Sequence, residues 1–259
     1  MNLTDNHASL RVAGKNMTFC TKRVLALVAL ASVAIVGPLF PPPAFAAEED
    51  GVALAIVYDT SGSMREPVPD QHGNPAPKYV IANRALIAIA KQIQAFATNN
   101  ATGAPRRIDA ALFTFENNGA RQAIKFGPFH DTVFREWAKN FSQPNGNTPL
   151  GNALNTASQT VLGSPLSRKH VLIITDGINT AGPSPAAVFP KLKRQAEQQQ
   201  ASLSVHFVAF DVDAKVFDSV KKLGATVVGA ADEKQLDTQL DFIMQRKILL
   251  EEEEPPKKK

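Results

Sequence analysis

Short apolar runs alternate with helix-like patterns from residue 51 onward, and this alternation constrains the fold more than any other feature of the chain. The apolar runs are rich in Val and Ile and hold few polar residues, as expected for strands that are buried on both faces. Between them, apolar residues recur every three or four positions, as in Ile81, Ala85, Ile89 and Ile93, which predicts amphipathic helices. The pattern predicts an α/β, Rossmann-like doubly wound fold, with a mainly parallel six-stranded sheet and helices on both faces.

The predicted elements fill one domain of about 200 residues, which is large enough to bury about 70% of its unfolded surface. The predicted strands are 52–58, 108–115, 122–126, 171–175, 203–210 and 226–228. The predicted helices are 79–98, 132–139, 150–162, 185–200, 214–222 and 233–246. The Pro-rich segment 65–77 is predicted to be a loop between the first strand and the first helix.

The first 46 residues have the pattern of an export signal. Basic residues precede the uncharged apolar stretch 24–36, and prolines and the small residues 44–46 follow it. This stretch is typical of a signal peptide and shorter than the roughly 20 residues that span a bilayer. We therefore predict a signal peptide over 1–46, a short linker over 47–51, a domain over 52–247 and a charged, disordered tail over 248–259. The mature protein would be periplasmic or secreted and free of the membrane; the alternative is an inner-membrane anchor formed by residues 24–40.

Charge and cysteine content exclude two classes of function. The formal net charge of +4 comes largely from the leader, where Arg11, Lys15, Lys22 and Arg23 are opposed by one acidic residue. The remainder is nearly neutral and has no basic patch that would indicate a nucleic-acid partner. The one cysteine, Cys20, also lies in the leader, so the predicted domain has neither thiol chemistry nor a disulfide.

Three separated segments place oxygen-bearing side chains at predicted strand ends or helix starts. Asp59, Ser61 and Ser63 follow the first strand, Thr148 opens a helix, and Asp176 follows the run 171–175. In an open α/β sheet, ligands bind beyond the carboxyl ends of the strands. Each segment alone also fits a structural role, such as a turn or a helix N-cap at Thr148. Together they predict a site for a hard cation, because oxygen ligands without nearby His or Cys favour Mg²⁺ or Mn²⁺.

The three segments closely resemble the metal-ion-dependent adhesion site of von Willebrand factor type A domains, the family that includes integrin I domains. The resemblance covers roughly residues 52–246, and no ligand position is substituted. It implies that the hydroxyls of Ser61, Ser63 and Thr148 bind Mg²⁺ or Mn²⁺ directly, while Asp59 and Asp176 act mostly through water. It also implies a protein partner that offers an Asp or Glu carboxylate to the ion's open position. With the leader, the resemblance indicates an exported bacterial binding module that is not an enzyme.

Two other classes of function, an enzyme and an assembly factor, compete with the binding module. An aspartic protease needs Asp-Thr-Gly, but Gly62 comes one residue late and no second copy of the motif exists. A phosphatase of the haloacid dehalogenase type needs Asp-x-Asp, and Ser61 occupies the second position. An assembly or chaperone-like factor working beside an AAA+ ATPase is the main alternative. The export signal argues against that alternative, because ATP is not available outside the cytoplasm.

We expect the mature protein to begin at Ala47, because the small residues 44–46 follow a proline cluster that ends the apolar stretch. Intact mass spectrometry of the protein from the producing cell measures this directly. A full-length chain retained in the membrane fraction would show instead that the segment is an anchor.

Overall fold

The structure is a computed structural model that describes residues 48–98, 106–116 and 118–250. The predicted signal peptide and residues 251–259 of the predicted tail lie outside the described residues. The described residues belong to one compact unit. None of the helices in these three ranges is both long enough and apolar enough to cross a membrane.

A six-stranded sheet forms the centre of the domain. Its strands are β1 (Glu49–Tyr58), β4 (Ile108–Glu116), β5 (Gly119–Pro128), β6 (Leu166–Thr175), β7 (Ser202–Phe210) and β8 (Thr226–Ala230). Their order across the sheet is β5-β4-β1-β6-β7-β8. Every neighbouring pair is parallel except β4 and β5, which are antiparallel. The predicted mainly parallel six-stranded sheet is therefore confirmed.

Helices cover both faces of the sheet, which is the doubly wound arrangement that the sequence predicts. One face carries α1 (Lys78–Thr98), α2 (Asp131–Asn140) and α6 (Glu233–Ile243). The other carries α3 (Leu150–Leu162), α4 (Pro185–Gln198) and α5 (Asp218–Lys222).

Strand β1 lies in the middle of the sheet and supplies side chains to both hydrophobic cores. Leu54, Ile56 and Tyr58 face the core under α1, whereas Ala53 and Ala55 face the core under α3. All five are fully buried. Successive side chains of β1 therefore alternate between the two cores, as expected for a strand that is buried on both faces.

The predicted loop 65–77 contains an antiparallel hairpin, formed by β2 (Pro67–Pro69) and β3 (Pro75–Pro77). Asp70 Oδ1 accepts the backbone N–H groups of two turn residues and closes the hairpin. At its tip, the Gln71 backbone N–H donates to Glu233 Oε2 at 3.0 Å, which fixes the hairpin to the start of α6. This contact joins residues far apart in sequence, so a local reading of the prolines cannot show it.

The C-terminal elements also differ in detail from the prediction. The predicted helix 214–222 is a 3₁₀ turn, Ala214–Phe217, followed by the short α5. The predicted helix 233–246 ends as an α-helix at Ile243 and continues as a π-helix over Met244–Leu249. Ile248 and Leu249 are buried in the core, so packing extends past the predicted domain end at residue 247.

The topology opens a crevice between the carboxyl ends of β1 and β6. After β1 the chain turns to α1 on one face, and after β6 it turns to α4 on the opposite face. Divergence of two neighbouring connections leaves space at this edge of the sheet, where ligands of such folds bind.

Two histidines lie side by side inside the sheet, on β6 and β7. His170 and His206 are buried, and their rings stack with centroids 5.7 Å apart. Burial, with a smaller contribution from Lys247, lowers the pKa of His206 to about 4. Burial also lowers the pKa of His170 well below its ordinary value. Both rings are therefore neutral in the folded protein at neutral pH.

We expect the free energy of unfolding to fall as the pH drops from 7.5 to 5. The folded-state pKa of His206 lies below its ordinary value, so the unfolded chain binds the proton first, and stability is lost between these two values. His206 alone contributes about 2 kcal/mol of this loss at pH 5. Asp59, whose folded-state pKa is raised, acts in the opposite direction. Urea titrations in EDTA should therefore show a flatter pH profile for His206→Gln than for wild type, and parallel profiles would contradict the assignment.

Candidate metal centre

Asp59 stands at the end of β1 with its carboxylate completely buried. Because β1 pairs in parallel with β6, the Asp59 backbone N–H donates to Ile174 O at 3.0 Å. The next residue of β6 places Thr175 Oγ1 2.6 Å from Asp59 Oδ2, and the Ser61 backbone N–H donates to Oδ1 at 2.7 Å. These bonds fix the orientation of the carboxylate.

The charge of Asp59 is poorly compensated at this position. Burial, followed by repulsion from Asp176, raises the pKa of Asp59 to about 6, although hydrogen bonds from Ser61 and Thr175 act against the rise. A carboxylate under such conditions takes up either a proton or another positive charge. The electrostatics therefore favour a cation next to Asp59.

Ser61, Ser63 and Asp176 form a chain of hydrogen bonds across the crevice. Ser61 Oγ lies 3.1 Å from Ser63 Oγ, and Ser63 Oγ donates to Asp176 Oδ1 at 2.9 Å. A 3₁₀ turn over Gly62–Arg65 directs the two serines into the site. Ser61 precedes this turn, but its side chain makes no capping hydrogen bond, so the hydroxyl faces other oxygens instead.

Thr148 lies beside the loop that follows Asp176, and its structural role differs from the helix cap that its sequence context allows. Helix α3 begins at Leu150, with Pro149 at the N-cap, and the side chain of this N-cap residue makes no capping bond. Two hydrogen bonds hold the Thr148 backbone against Thr180: Thr148 N donates to the Thr180 hydroxyl, and Thr180 N donates to Thr148 O. A Cβ on Gly177 would lie 3.6 Å from Thr148 Oγ1, which places the hydroxyl against this loop.

Backbone hydrogen bonds join the loop that follows β1 and carries Ser61 and Ser63, here called the serine loop, to the loop that carries Thr148. The Asn145 N–H donates to Thr60 O at 2.6 Å, and the Gly62 N–H donates to Gly146 O at 3.2 Å. Gly146 has a φ of +90°, a conformation that favours glycine. The structure therefore brings together Asp59, Ser61, Ser63 and Asp176 through direct bonds, and it places Thr148 on the adjoining loop.

A close contact at Gly151 fixes the loop that follows Asp176 against α3. A Cβ at Gly151 would lie 2.0 Å from Pro183 O, so only glycine permits this approach. Asn179 Oδ1 also accepts the Gly151 N–H at 3.2 Å and supplies the missing side-chain cap. Neither Asn179 nor Thr180 has a signature in the sequence, because their partners lie about 30 residues away.

Lys78 enters the site although the sequence analysis does not predict it. Its Nζ lies 2.9 Å from Asp176 Oδ2, 3.0 Å from Glu66 Oε2 and 3.0 Å from Asp211 Oδ2. Burial lowers the pKa of Lys78, but the three carboxylates outweigh burial and raise it above its ordinary value. The sequence does hold a signal, because Lys78 occupies the same stripe of α1 as the core residue Ile81, and a charge on a buried stripe needs a partner.

The set of oxygens fits a hard cation. Asp176 Oδ2 is buried and, among the described residues, accepts no aligned hydrogen bond, although Lys78 lies at ion-pair distance from it. Lys78 therefore offsets part of the negative charge of this carboxylate. The described ranges contain no group of three or more His, Cys, Asp or Glu that could hold a metal. Three of the five candidate ligands are hydroxyls. Hydroxyl and carboxylate oxygens suit Mg²⁺ or Mn²⁺ better than softer metals.

A protein-family model matches most of the chain. The model of the von Willebrand factor type A domain matches residues 53–241. The chain belongs to this family. The match spans both strands that form the crevice, together with the three loops of the candidate centre.

Solved structures with the same fold come from pili and from mussel byssus. The PilB minor pilin from Streptococcus sanguinis is 14% identical, with a TM-score of 0.55 over 76% of this chain and 61% of that one. Proximal thread matrix protein 1 from the mussel byssus, with zinc in its metal-ion-dependent adhesion site (MIDAS) motif, is 16% identical. Its TM-score is 0.54 over 76% of this chain and 48% of that one. The vWF domain of a type V pili tip protein from Porphyromonas gingivalis is 12% identical, with a TM-score of 0.52 over 76% and 94%.

These similarities establish the fold of the described domain. This chain spans less than two thirds of the pilin and about half of the byssus protein. Comparison with curated proteins finds no match to this sequence.

Proposed function

We propose that this von Willebrand factor type A domain is a protein-binding module that depends on a divalent cation. Asp59, Ser61, Ser63, Thr148 and Asp176 would hold Mg²⁺ or Mn²⁺ in the crevice between β1 and β6. The observation that carries the proposal is the pair of buried carboxylates, Asp59 and Asp176, in contact with two adjoining serine hydroxyls.

The candidate ligands differ in how free their oxygens are. Both oxygens of Asp59 already accept hydrogen bonds, from Thr175 and from the Ser61 backbone, which favours an indirect role for this carboxylate. Ser61 and Ser63 bond to each other and can turn their lone pairs toward an ion. The proposed inner ligands are therefore neutral hydroxyls from Ser61, Ser63 and Thr148.

An ion held by neutral hydroxyls supplies a strong positive charge at the surface, and a carboxylate from another molecule is the natural ligand to complete its coordination. The proposed partner is a protein with an accessible Asp or Glu. The role of this chain would be to orient the ligand oxygens and to leave open the coordination position of the ion that faces solvent. Exposed residues at this edge, including Arg65, Asn147 and Ile178, would contact the partner around the ion.

The leader supports an exported location for this module, either periplasmic or secreted in a bacterium. The pilus proteins among the solved structures with this fold are consistent with a role outside the cytoplasm. The composition of the domain favours a protein partner over nucleic acid. Binding without catalysis is the proposed activity.

Mg²⁺ or Mn²⁺ should raise the melting temperature of the mature domain, since the ion binds the folded site and not the open chain. At one hundred times the dissociation constant, the stabilisation is about 2.7 kcal/mol. The double variant Ser61→Ala with Ser63→Ala should lose this shift in differential scanning fluorimetry. Ser142→Ala, which changes an exposed serine of a nearby loop, should keep it. An undiminished shift in the double variant would place the ion elsewhere.

Capture of a partner should depend on the ion and on Thr148 together. We expect a pull-down from the envelope of the producing cell to retain a partner in Mg²⁺ and to lose it in EDTA. Thr148→Ala should weaken capture as strongly as EDTA does while leaving the domain folded, as measured by circular dichroism. Thr156→Ala is the matched control, because its hydroxyl bonds only within α3. Binding that survives both EDTA and Thr148→Ala would show that recognition uses another face.

A further inference from the structure

The ammonium group of Lys78 is an additional positive charge inside the candidate metal centre. Its side chain is 2% exposed, and Nζ contacts Asp176, Glu66 and Asp211 at 2.9–3.0 Å. The three partners are not equivalent. The side chain of Asp176 is completely buried, whereas those of Glu66 and Asp211 are 67% and 40% exposed, so water screens their charges. Asp176 is therefore the partner on which Lys78 acts most strongly.

The position of Lys78 in its helix shows that the carboxylates hold it there. Lys78 is the first residue of α1, where the positive end of the helix dipole disfavours an ammonium group. The first turn of α1 contains no acidic residue that would compensate. The Lys78 backbone N–H donates to Glu66 O at 2.9 Å, which anchors the residue at the base of the hairpin. The Lys78 ammonium group therefore occupies this position despite two unfavourable effects, its burial and the helix dipole.

Asp176 is held from both sides as a result. Oδ1 accepts the Ser63 hydroxyl at 2.9 Å, and Oδ2 faces the Lys78 ammonium at 2.9 Å. An ion beside Ser63 would meet a carboxylate whose second oxygen is tied to a cation on α1. Direct coordination through Oδ2 would require the Lys78 contact to break, and coordination through Oδ1 would require Ser63, itself a candidate ligand, to give up its hydrogen bond to Asp176.

We propose that Lys78 is a positioning residue of the metal centre, which keeps Asp176 out of the inner coordination shell and offsets its charge. This inference rests on the proposed function, because it assigns the role of one residue at the same site. With Lys78 in place, the ion retains more of its positive charge and one more exchangeable position. A partner carboxylate can occupy that position. The cost is a lower affinity for the ion itself, because a nearby ammonium repels it.

The test is binding of Mn²⁺ alone, measured by electron paramagnetic resonance of the free ion. Lys78→Met removes the charge while keeping an unbranched side chain. We expect this variant to bind Mn²⁺ about tenfold more tightly than wild type, because the repulsion is gone and Asp176 can coordinate directly. Water-proton relaxation should then count one exchangeable water fewer on the bound ion. A residue with only a structural role would lower stability without producing either change.

Two controls separate this role from general effects of losing a buried lysine. Lys169 is also 2% exposed and paired with a carboxylate, Glu48, but it lies near the opposite end of β6 from Asp176. Lys169→Met should leave Mn²⁺ affinity and the water count unchanged. Adding Asp176→Asn to Lys78→Met should remove the gain in affinity, because the carboxylate that Lys78 restrains is gone.

A charge-balanced variant protects the test against misfolding. Lys78→Met strands a buried carboxylate, so Lys78→Met with Asp211→Asn removes one charge of each sign. Asp211 has a φ of 55°, a conformation that Asn adopts readily. This double variant should also show tighter Mn²⁺ binding and one water fewer. Lys78→Arg keeps the charge and should retain the wild-type affinity and water count.

The outcomes distinguish this inference from the proposed function. Tighter Mn²⁺ binding with one water fewer supports the positioning role. If wild type binds Mn²⁺ and the Lys78→Met variants bind it equally or more weakly with the same water count, the role of Lys78 is overturned and the metal centre stands. If neither wild type nor the variants bind Mn²⁺, the metal centre itself is overturned, and the role of Lys78 with it.

Discussion

The burial of two carboxylates at one edge of the sheet is the constraint on which the rest of this site depends. Parallel pairing of β1 with β6 brings Asp59 and Asp176 to neighbouring strand ends, and both side chains are almost entirely shielded from water. Two like charges in such a place cost several kcal/mol unless other groups compensate them. The surrounding groups that donate to them, Thr175, the Ser61 backbone and Ser63, together with the charge of Lys78, follow from this requirement.

The scaffold keeps these charges together by fixing the backbone of three loops. Bonds between the serine loop and the segment around Gly146, and between Thr148 and Thr180, connect loops that are distant in sequence. Parallel strands packed on both faces hold the ends of the loops in place. Functional residues on loops are positioned accurately when the scaffold beneath them is rigid. The hydroxyls of Ser61 and Ser63 therefore face the crevice and are not used for helix capping.

The hydrophobic pattern predicted the sheet and its helices well, because strands buried on both faces leave a continuous apolar run in the sequence. The five candidate site residues were predicted from their motifs; the structure links Asp59, Ser61, Ser63 and Asp176 by hydrogen bonds and places Thr148 on the adjoining loop. The hairpin at 67–77 was missed because its anchor, Glu233, lies on the last α-helix. The helix cap that the sequence allows at Thr148 is not formed; Thr148 instead bonds to Thr180, and the side chain of Asn179 caps the helix. The contacts of Glu233, Thr180 and Asn179 join segments far apart in sequence, so no local pattern encodes them.

The sequence by itself determined the fold class, the family and the identity of the oxygen-bearing residues, because periodicity and short motifs are local properties of the chain. Only the tertiary structure decided how their charges are balanced. It placed Lys78 of α1 against Asp176 at the end of β6, and it set Thr175 on the buried carboxylate of Asp59. Electrostatic balance in a buried site depends on distances of a few ångströms between groups from different elements. Those distances exist only once the sheet has brought β1 and β6 together and α1 has packed across its face.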